Sequence, residues 1–387
     1  MNATLRHILL GSALLALTAC STTDFFLGED NRPAAKALPA TANSVQTSVL
    51  WTQRLGKENS AGGLALQPDS DGERIFAVSA DGRLSAFDAD SGATLYQVRL
   101  GNRISAGVAA APGYLYVGTH NGDLLALNAE DGTPAWRQAL GGQMISRPAS
   151  DGQIVVARTQ DGRISAFRAD SGQLLWRYHI NEPAFTMRGN ASPVIGGGVV
   201  IVTSDSGYFV VLQQENGLPV VEQRLAIGRG SGRVSRMVDM DATPMVNRGL
   251  LFGAAYQSMM FAVDLERGAP AWQQEAVSTP RDFALSQDGL FLSTDIDHIA
   301  ALNQQDGSIR WQSAALEGRG LSPVFAIPGR IGVLDREGYL HWLDDQRGTL
   351  LGQTRIGRAA ASAPPLVLRD KIVWQLDDGR LVAFRPQ

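Results

Sequence analysis

Cysteine is almost absent from this chain: its 387 residues include one, Cys20. An internal disulfide needs two thiols and a cysteine-based zinc site needs several, so the composition excludes both. Charge is sparse as well, since Asp, Glu, Lys and Arg make up 19% of the residues and the net charge is −4. Nucleic-acid-binding proteins normally carry a strongly basic face, so we expect no nucleic-acid partner.

Long helices and membrane-spanning segments are also missing from the pattern. No apolar period of 3.6 residues recurs after the N-terminus, whereas 42 glycines and 17 prolines indicate many turns. The longest apolar run, Ile8–Leu17, has about ten residues, and a bilayer-spanning helix needs about 20. The body of the chain is therefore predicted to be built from short strands.

The N-terminus has the organisation of a processing signal. Arg6 precedes the apolar run, which ends in Leu17-Thr18-Ala19-Cys20. Small residues before a cysteine resemble the bacterial lipoprotein signal, which implies lipidation of Cys20 and a signal peptide at residues 1–19. By the same resemblance, Ser21 in place of an aspartate favours the outer membrane. Residues 20–45 are polar and unpatterned, so we expect a lipidated, flexible tether.

One motif recurs along the rest of the chain: a Gly turn, a short apolar strand, a second Gly turn and then a large apolar residue. A clear copy runs from Asn121-Gly122 through Leu124 to Leu127 and on to Gly132 and Trp136. The second glycines of seven copies are 40, 40, 45, 51, 39 and 41 residues apart. They are Gly92, Gly132, Gly172, Gly217, Gly268, Gly307 and Gly348. A spacing near 42 is typical of four-stranded propeller blades.

The eighth copy is split between the two ends of the chain. Asp378–Phe384 runs into the C-terminus, and the strand that it lacks is available at Val49–Leu55. The sequence therefore predicts an all-β fold over residues 46–387, an eight-bladed β-propeller of four-stranded antiparallel blades. In this fold the N-terminal strand completes the C-terminal blade and closes the ring. The repeated tryptophans are expected to pack between blades; they are Trp136, Trp176, Trp272 and Trp311.

The repeat Ala126-x-Asn128-x-x-x-Gly132-x-x-x-Trp136 resembles that of the quinoprotein, or PQQ-like, propellers. Combined with the lipoprotein signal and the absence of another domain, it is similar to the BamB family. These proteins are lipoprotein subunits of the outer-membrane β-barrel assembly (BAM) machine. Two segments sharpen the similarity, Phe185–Pro193 and Arg236–Pro244. The first has Phe185 and Met187 where the family usually has leucines.

This resemblance implies a non-enzymatic scaffold at the periplasmic side of the outer membrane, held there by its lipid anchor. The implied partners are the POTRA domains of BamA and the other BAM subunits, with unfolded outer-membrane proteins as clients. By residue-by-residue correspondence, Phe185, Met187, Arg188, Asp239 and Asp241 are the predicted contacts to BamA. A purely structural role is the alternative, in which the two aspartates cap turns and Arg188 pairs with one of them.

Two other functions stay open on sequence grounds. The repeats alone would suit a PQQ-dependent dehydrogenase, but the Ca²⁺ ligands and catalytic aspartate that such enzymes need cannot be assembled here. A propeller that binds peptidoglycan or a small ligand in its channel is the second. Four histidines of the body lie in separate repeats without zinc-binding spacing; they are His120, His179, His298 and His341. We therefore expect no catalytic residue, no metal and no cofactor.

Overall fold

The fold follows from the short valine-rich and leucine-rich runs that lie between glycine turns. The computed structural model describes residues 35–41, 43–56, 64–182, 191–226, 239–256 and 258–387. All named elements in these ranges are β-strands, and none of the described residues forms a helix long and apolar enough to cross a membrane. By its contacts, Ala35–Gln387 is one compact unit.

The first four blades follow one another along the chain, and each is a four-stranded antiparallel sheet in sequence order. Blade 1 comprises β2 (Asp69–Ser70), β3 (Arg74–Val78), β4 (Arg83–Asp88) and β5 (Thr94–Arg99). Blade 2 comprises β6 (Ile104–Ala111), β7 (Tyr114–Thr119), β8 (Asp123–Asn128) and β9 (Pro134–Ala139). Blade 3 comprises β10 (Ala149–Ser150), β11 (Ile154–Arg158), β12 (Arg163–Arg168) and β13 (Leu174–His179). Blade 4 comprises β14 (Val194–Gly196), β15 (Val199–Thr203), β16 (Tyr208–Gln213) and β17 (Pro219–Arg224).

Blades 5 to 7 repeat this arrangement, and blade 8 differs only in where its outer strand comes from. Blade 5 comprises β18 (Met245–Asn247), β19 (Leu250–Ala255), β20 (Met259–Asp264) and β21 (Ala269–Gln274). Blade 6 comprises β22 (Ala284–Leu285), β23 (Gly289–Ser293), β24 (Ile299–Asn303) and β25 (Ile309–Ser313). Blade 7 comprises β26 (Phe325–Ile327), β27 (Arg330–Leu334), β28 (Tyr339–Asp344) and β29 (Leu350–Arg355). Blade 8 comprises β30 (Leu366–Val367), β31 (Ile372–Gln375), β32 (Arg380–Pro386) and β1 (Thr47–Arg54).

The ring is closed by the pairing that the split repeat predicts. Strand β1 runs antiparallel to β32, from Thr47 opposite Pro386 to Arg54 opposite Arg380. The predicted eight-bladed propeller, with its N-terminal strand in the C-terminal blade, is therefore confirmed.

The hydrophobic core lies between blades rather than inside them. The described residues form eight buried clusters, and each combines the middle strands of two consecutive blades, including blades 8 and 1. The middle strands are buried on both faces, as in β11 and β24, while the outer strands alternate between exposed and covered residues. A single blade could not bury such two-sided strands, so stacking in a ring stabilises each of them.

The four repeated tryptophans each join one blade to the next. The indole N–H of Trp136 donates to the carbonyl of Ala169, 3.0 Å away in blade 3, and the ring lies on Gly172. A Cβ at Gly172 would be 2.7 Å from that ring, so only glycine fits. The same contact recurs for Trp176 on Gly217, Trp272 on Gly307 and Trp311 on Gly348. The prediction that these rings pack between blades is confirmed.

The two faces of the ring carry different connections. We call "loop face" the side that bears the connections from each outer strand to the next blade, together with the turns between second and third strands. These two kinds of segment hydrogen-bond to each other, as in Leu100 N–H to Gly82 O at 2.8 Å and Ile180 N–H to Gly162 O at 3.0 Å. The turns that hold the second glycines of the repeat lie on the opposite face.

Candidate partner-binding face

Both segments singled out in the sequence are connections between blades on the loop face. One lies between β13 and β14, and the other lies between β17 and β18. Residues 183–190 and 227–238 are outside the described part of the chain, and so are the predicted contacts Phe185, Met187 and Arg188, as well as Cys20. The described part contains the other two predicted contacts, Asp239 and Asp241.

The ends of these two connections lie side by side. The Ser192 N–H donates to the Thr243 hydroxyl at 3.3 Å, which joins the residues that follow each segment. The Thr203 hydroxyl, at the end of β15, donates to the carbonyl of Met240 at 3.3 Å. The fold therefore brings together two segments that are about 50 residues apart in sequence.

Asp239 and Asp241 lie inside the protein. Their exposed fractions are 1% and 9%, and the carbonyl of Asp239 accepts the Tyr256 N–H at 2.8 Å. A carboxylate taken out of water is stable only when it is paired or hydrogen-bonded, so both side chains belong to the polar interior of the loop face. They lie near the C-terminal end of the connection between β17 and β18 and help to fix its conformation there.

A buried ionic cluster holds the other connection at its two described ends. Arg158, at the end of β11, donates to Glu182 at 2.8 Å and to the carbonyl of Ala191 at 3.4 Å. The second oxygen of Glu182 accepts the Ser204 hydroxyl at 2.8 Å, and Asp205 lies 3.8 Å from the same guanidinium. The side chains of Arg158, Glu182 and Asp205 are at most 5% exposed. Glu182 and Ala191 flank residues 183–190, so one arginine fixes where this segment leaves and re-enters the propeller.

The sequence interpretation missed this cluster, although a signal for it exists. The corresponding positions in the second strands of the neighbouring blades hold uncharged residues, Gly118 in β7 and Thr203 in β15. Arg158 follows four apolar residues in β11, at a position where the repeat leads to the protein interior. A charged residue there predicts a buried partner of opposite sign, but the repeat does not say which one.

The channel along the ring axis forms a cavity of about 540 Å³, lined by the innermost strands of all eight blades. Its charged side chains are Asp69 and Arg147, which form an ion pair, and Asp282. Asp282 is partly buried in the wall of this cavity. Burial raises its pKa, and the hydrogen bond that it accepts from the Thr243 N–H at 2.6 Å opposes that rise only in part.

The described residues contain no group of three or more His, Cys, Asp or Glu side chains that could hold a metal ion. What they do provide is a rigid rim with two adjacent connections, each fixed at its base by buried polar contacts. Loops held in this way on a rigid scaffold are suited to recognition.

Known proteins similar to this chain identify its family. The family profile "Outer membrane protein assembly factor BamB" matches residues 40–102, 80–313 and 297–387. The chain is 40% identical over 377 residues to the outer membrane protein assembly factor BamB of Alkalilimnicola ehrlichii, covering 97% of this chain and 95% of that one.

Solved structures of other proteins share the fold of this chain. The crystal structure of BamB from Moraxella catarrhalis superimposes with a TM-score of 0.79 at 25% identity, covering 88% of this chain and all of that one. The quinohemoprotein alcohol dehydrogenase of Comamonas testosteroni reaches 0.67 at 11% identity, covering 89% of this chain and 77% of that one. The second similarity shows the propeller fold alone. On the profile match and the identity over almost its whole length, the chain belongs to the BamB family of outer membrane protein assembly factors.

Proposed function

We propose that the chain is a non-enzymatic scaffold of the outer-membrane protein assembly complex that binds the periplasmic POTRA domains of BamA through its loop face. The observation that carries this proposal is the family match over nearly the whole chain. It is supported by the two blade connections that meet through Ser192 and Thr243, because a rigid rim lowers the entropic cost of presenting them to a partner.

In this proposal, Phe185, Met187 and Arg188 are the side chains offered to the partner. An apolar pair beside an arginine is typical of interface anchors. Asp239 and Asp241 are buried at the base of the neighbouring connection. Their part is to hold that connection in shape, or to pair with Arg188 of this chain, and so to present the surface that BamA meets.

Co-purification with BamA tests the assignment. Arg188→Ala is expected to reduce recovery of BamA at least tenfold, since a charged interface anchor contributes about 1.4 kcal/mol or more. The Asp239→Asn/Asp241→Asn pair keeps side-chain volume and removes charge, and we expect a similar loss. Arg369→Ala is the matched control, because Arg369 is exposed in a turn on the opposite face. Undiminished recovery with folded Arg188→Ala and Asp239→Asn/Asp241→Asn proteins would remove the site assignment.

We further propose that Cys20 is lipidated and anchors the propeller at the inner leaflet of the outer membrane, facing the periplasm. Each buried CH₂ of an acyl chain contributes about 0.8 kcal/mol to membrane binding. The Cys20→Ala chain is expected to move from the membrane fraction to the soluble periplasmic fraction. Mass spectrometry of the wild-type N-terminus should show the mass of the acyl chains, and an unmodified thiol would contradict the anchor.

A second mode of binding is favoured by the outer strands of blades 3 and 4. Leu175 of β13 is 41% exposed, and Leu218 and Val220 at β17 are 58% and 56% exposed. Outer strands have unpaired backbone groups, and exposed apolar side chains beside them suit an added strand from an unfolded client. We propose that outer-membrane proteins on their way to assembly pair transiently with these edges.

Site-specific photocrosslinking tests the second mode. A photoreactive residue at Leu175 or Val220 is expected to capture nascent outer-membrane proteins in cells. The control position is Gln353 of β29, whose strand edge is occupied by residues of this chain. Equal capture at Gln353 and at the two test positions would contradict strand addition.

A further inference from the structure

The feature that carries a further inference is the stretch Lys36–Gln46, most of which the sequence assigns to the tether. Apart from residue 42, which is not described, this stretch lies along the outer edge of blade 7, and we call it the strap. At its start, Lys36 is held on the loop face, where its N–H donates to Glu317 O at 3.0 Å and its ammonium lies 2.8 Å from the Glu317 carboxylate. The buried Arg319 donates to the Lys36 carbonyl at 2.8 Å.

Further along, the strap uses the free hydrogen-bonding groups of the β29 edge. The Leu351 carbonyl accepts the Ser44 hydroxyl at 3.0 Å and the Val45 N–H at 3.2 Å. The Gln353 N–H donates to the Asn43 side chain at 3.2 Å. Val45 is 3% exposed and belongs to the cluster between blades 7 and 8, so the strap is packed as well as hydrogen-bonded.

Blade 7 has a seat for the strap that the other blades lack. In five other blades a small residue of the third strand faces a tryptophan of the fourth, as Ala301 faces Trp311. In blade 7 the sizes are reversed, since Trp342 faces Gly352. A Cβ on Gly352 would lie 2.0 Å from the Val45 carbonyl oxygen, so only glycine leaves room.

The reason for the reversal is the closure of the ring. In the five blades that have a tryptophan at this outer position, the indole packs on the glycine turn between the third and fourth strands of the next blade. Blade 8 has no such turn, because its third and fourth strands, β32 and β1, come from opposite ends of the chain. The strap fills the space that is left, and Gln46 O accepts the Gln387 N–H at 2.8 Å beside it.

The strap also determines on which side the chain leaves the ring. Strand β1 begins at Thr47, opposite Pro386, which is the end of β32 farther from the loop face. Without the strap, the preceding residues would leave the ring there. With it, the chain crosses blade 7 and leaves at Lys36, beside Glu317 in the connection from β25 to β26. That connection lies on the loop face, as do the two candidate partner-binding connections.

We propose that the strap fixes the exit of the membrane tether on the loop face, so that lipid anchor and partner-binding connections share one side of the propeller. This proposal rests on the proposed lipid anchor for its membrane consequence, but the seating of the strap does not. Residues 20–35 span at most about 55 Å when fully extended. The loop face of the anchored protein is therefore kept within about that distance of the lipid surface.

A distance measurement tests the seat in soluble protein that starts at residue 21, which contains no cysteine. Spin labels at Ala37→Cys in the strap and Gln160→Cys on the loop face are expected to give one narrow distance distribution. Two variants should displace the strap. Gly352→Leu places a side chain in blade 7 where the Val45 backbone lies, and Val45→Asp places a charge at a buried position of the strap. Each is expected to broaden the distribution at least twofold. Thr349→Trp, on the same blade in an exposed turn, is the control and should leave it narrow.

The membrane consequence is tested with the full lipidated chain on vesicles that contain acceptor-labelled lipid. A donor dye at Gln160→Cys is expected to transfer energy more efficiently than one at Asn216→Cys on the opposite face. Gly352→Leu should reduce that difference while leaving BamA binding in solution unchanged. A broad distribution in the wild-type protein, or narrow ones in both strap variants, would overturn the proposal. If the chain proved unlipidated, the anchor would fail while the spin-label result stood.

Discussion

At the scale of single residues, the glycines with a left-handed backbone fall into two kinds. Gly172 has φ +69° and lies under the ring of Trp136, whereas Gly101 has φ +73° and open space where a Cβ would be. Both backbones favour glycine, but Gly172 is also required by packing. We expect Gly101→Ala to lower the free energy of unfolding by about 1–2 kcal/mol, which is the cost of a left-handed backbone.

Gly172→Ala is expected to cost more, about 2–4 kcal/mol, because its methyl group would also displace the Trp136 indole. Urea unfolding followed by tryptophan fluorescence measures the difference between the two variants. Equal midpoints for Gly101→Ala and Gly172→Ala would mean that displacing the Trp136 indole does not lower the free energy of unfolding, which would contradict its role in packing between blades.

Two carboxylates, the fully buried Asp335 and the partly buried Asp282, should respond to pH with opposite sign. Burial alone would raise the pKa of Asp335, but hydrogen bonds from His341, the Tyr339 N–H and Arg319 outweigh it and hold that pKa below its usual range. The ionised form thus favours the folded state above about pH 4, and this contribution is lost as the pH falls below that value. Burial raises the pKa of Asp282, so its charge disfavours the folded state at neutral pH.

The corresponding variants test these signs. Asp335→Asn is expected to lower the unfolding midpoint at pH 7, with a difference from wild type that shrinks toward pH 3. Asp282→Asn retains an acceptor for the Thr243 N–H and is expected to match or exceed wild-type stability at pH 7, with that advantage vanishing in acid. Thermal unfolding between pH 3 and pH 7 distinguishes the two, and parallel curves for all three proteins would contradict both assignments.

At the scale of elements, much could be predicted from the sequence because each blade repeats one local rule. Gly turns and strands that are apolar on both faces predict the hairpins, and the split eighth copy predicts that the ring is closed by strands from the two ends of the chain. The seat at Gly352 and the burial of Arg158 could not be predicted in the same way. Both depend on contacts with a segment that is distant in sequence, and the repeat does not specify which residue of that segment makes the contact. The candidate contacts came from family resemblance, and the interior position of Asp239 and Asp241 was evident only from the fold.

The Arg158 cluster provides a prediction at this scale, since it ties β11 to both ends of a blade connection. Arg158→Met would remove the cation that lies 2.8 Å from the buried Glu182 and 3.8 Å from Asp205, and breaking buried pairs of this kind costs about 3–5 kcal/mol. Adding Glu182→Gln should recover part of that loss, because one buried charge disappears. Chemical unfolding of the single and double variants measures it, and a further loss in the double variant would contradict the assigned pairing.

At the scale of the whole molecule, stability depends on a ring that the chain closes without a covalent bond. Blade 8 gains its outer strand only when β1 reaches β32, and Trp51 of that strand covers Gly92 of blade 1. A chain that lacks residues 1–63 therefore has an open edge at β32 and an uncovered contact with blade 1. We expect it to self-associate, because an open edge beside apolar surface pairs with other chains.

The truncated chain should also accept its missing strand in trans. A labelled peptide of residues 43–56 is expected to bind saturably by fluorescence anisotropy and to restore a monomer in light scattering. A Trp51→Ala peptide should bind about 100-fold more weakly, since losing a buried indole costs about 3 kcal/mol or more. An Arg54→Ala peptide, altered at an exposed position of the same strand, is the matched control. A stable, monomeric truncated chain that ignores all three peptides would mean that the ring holds without its closing strand.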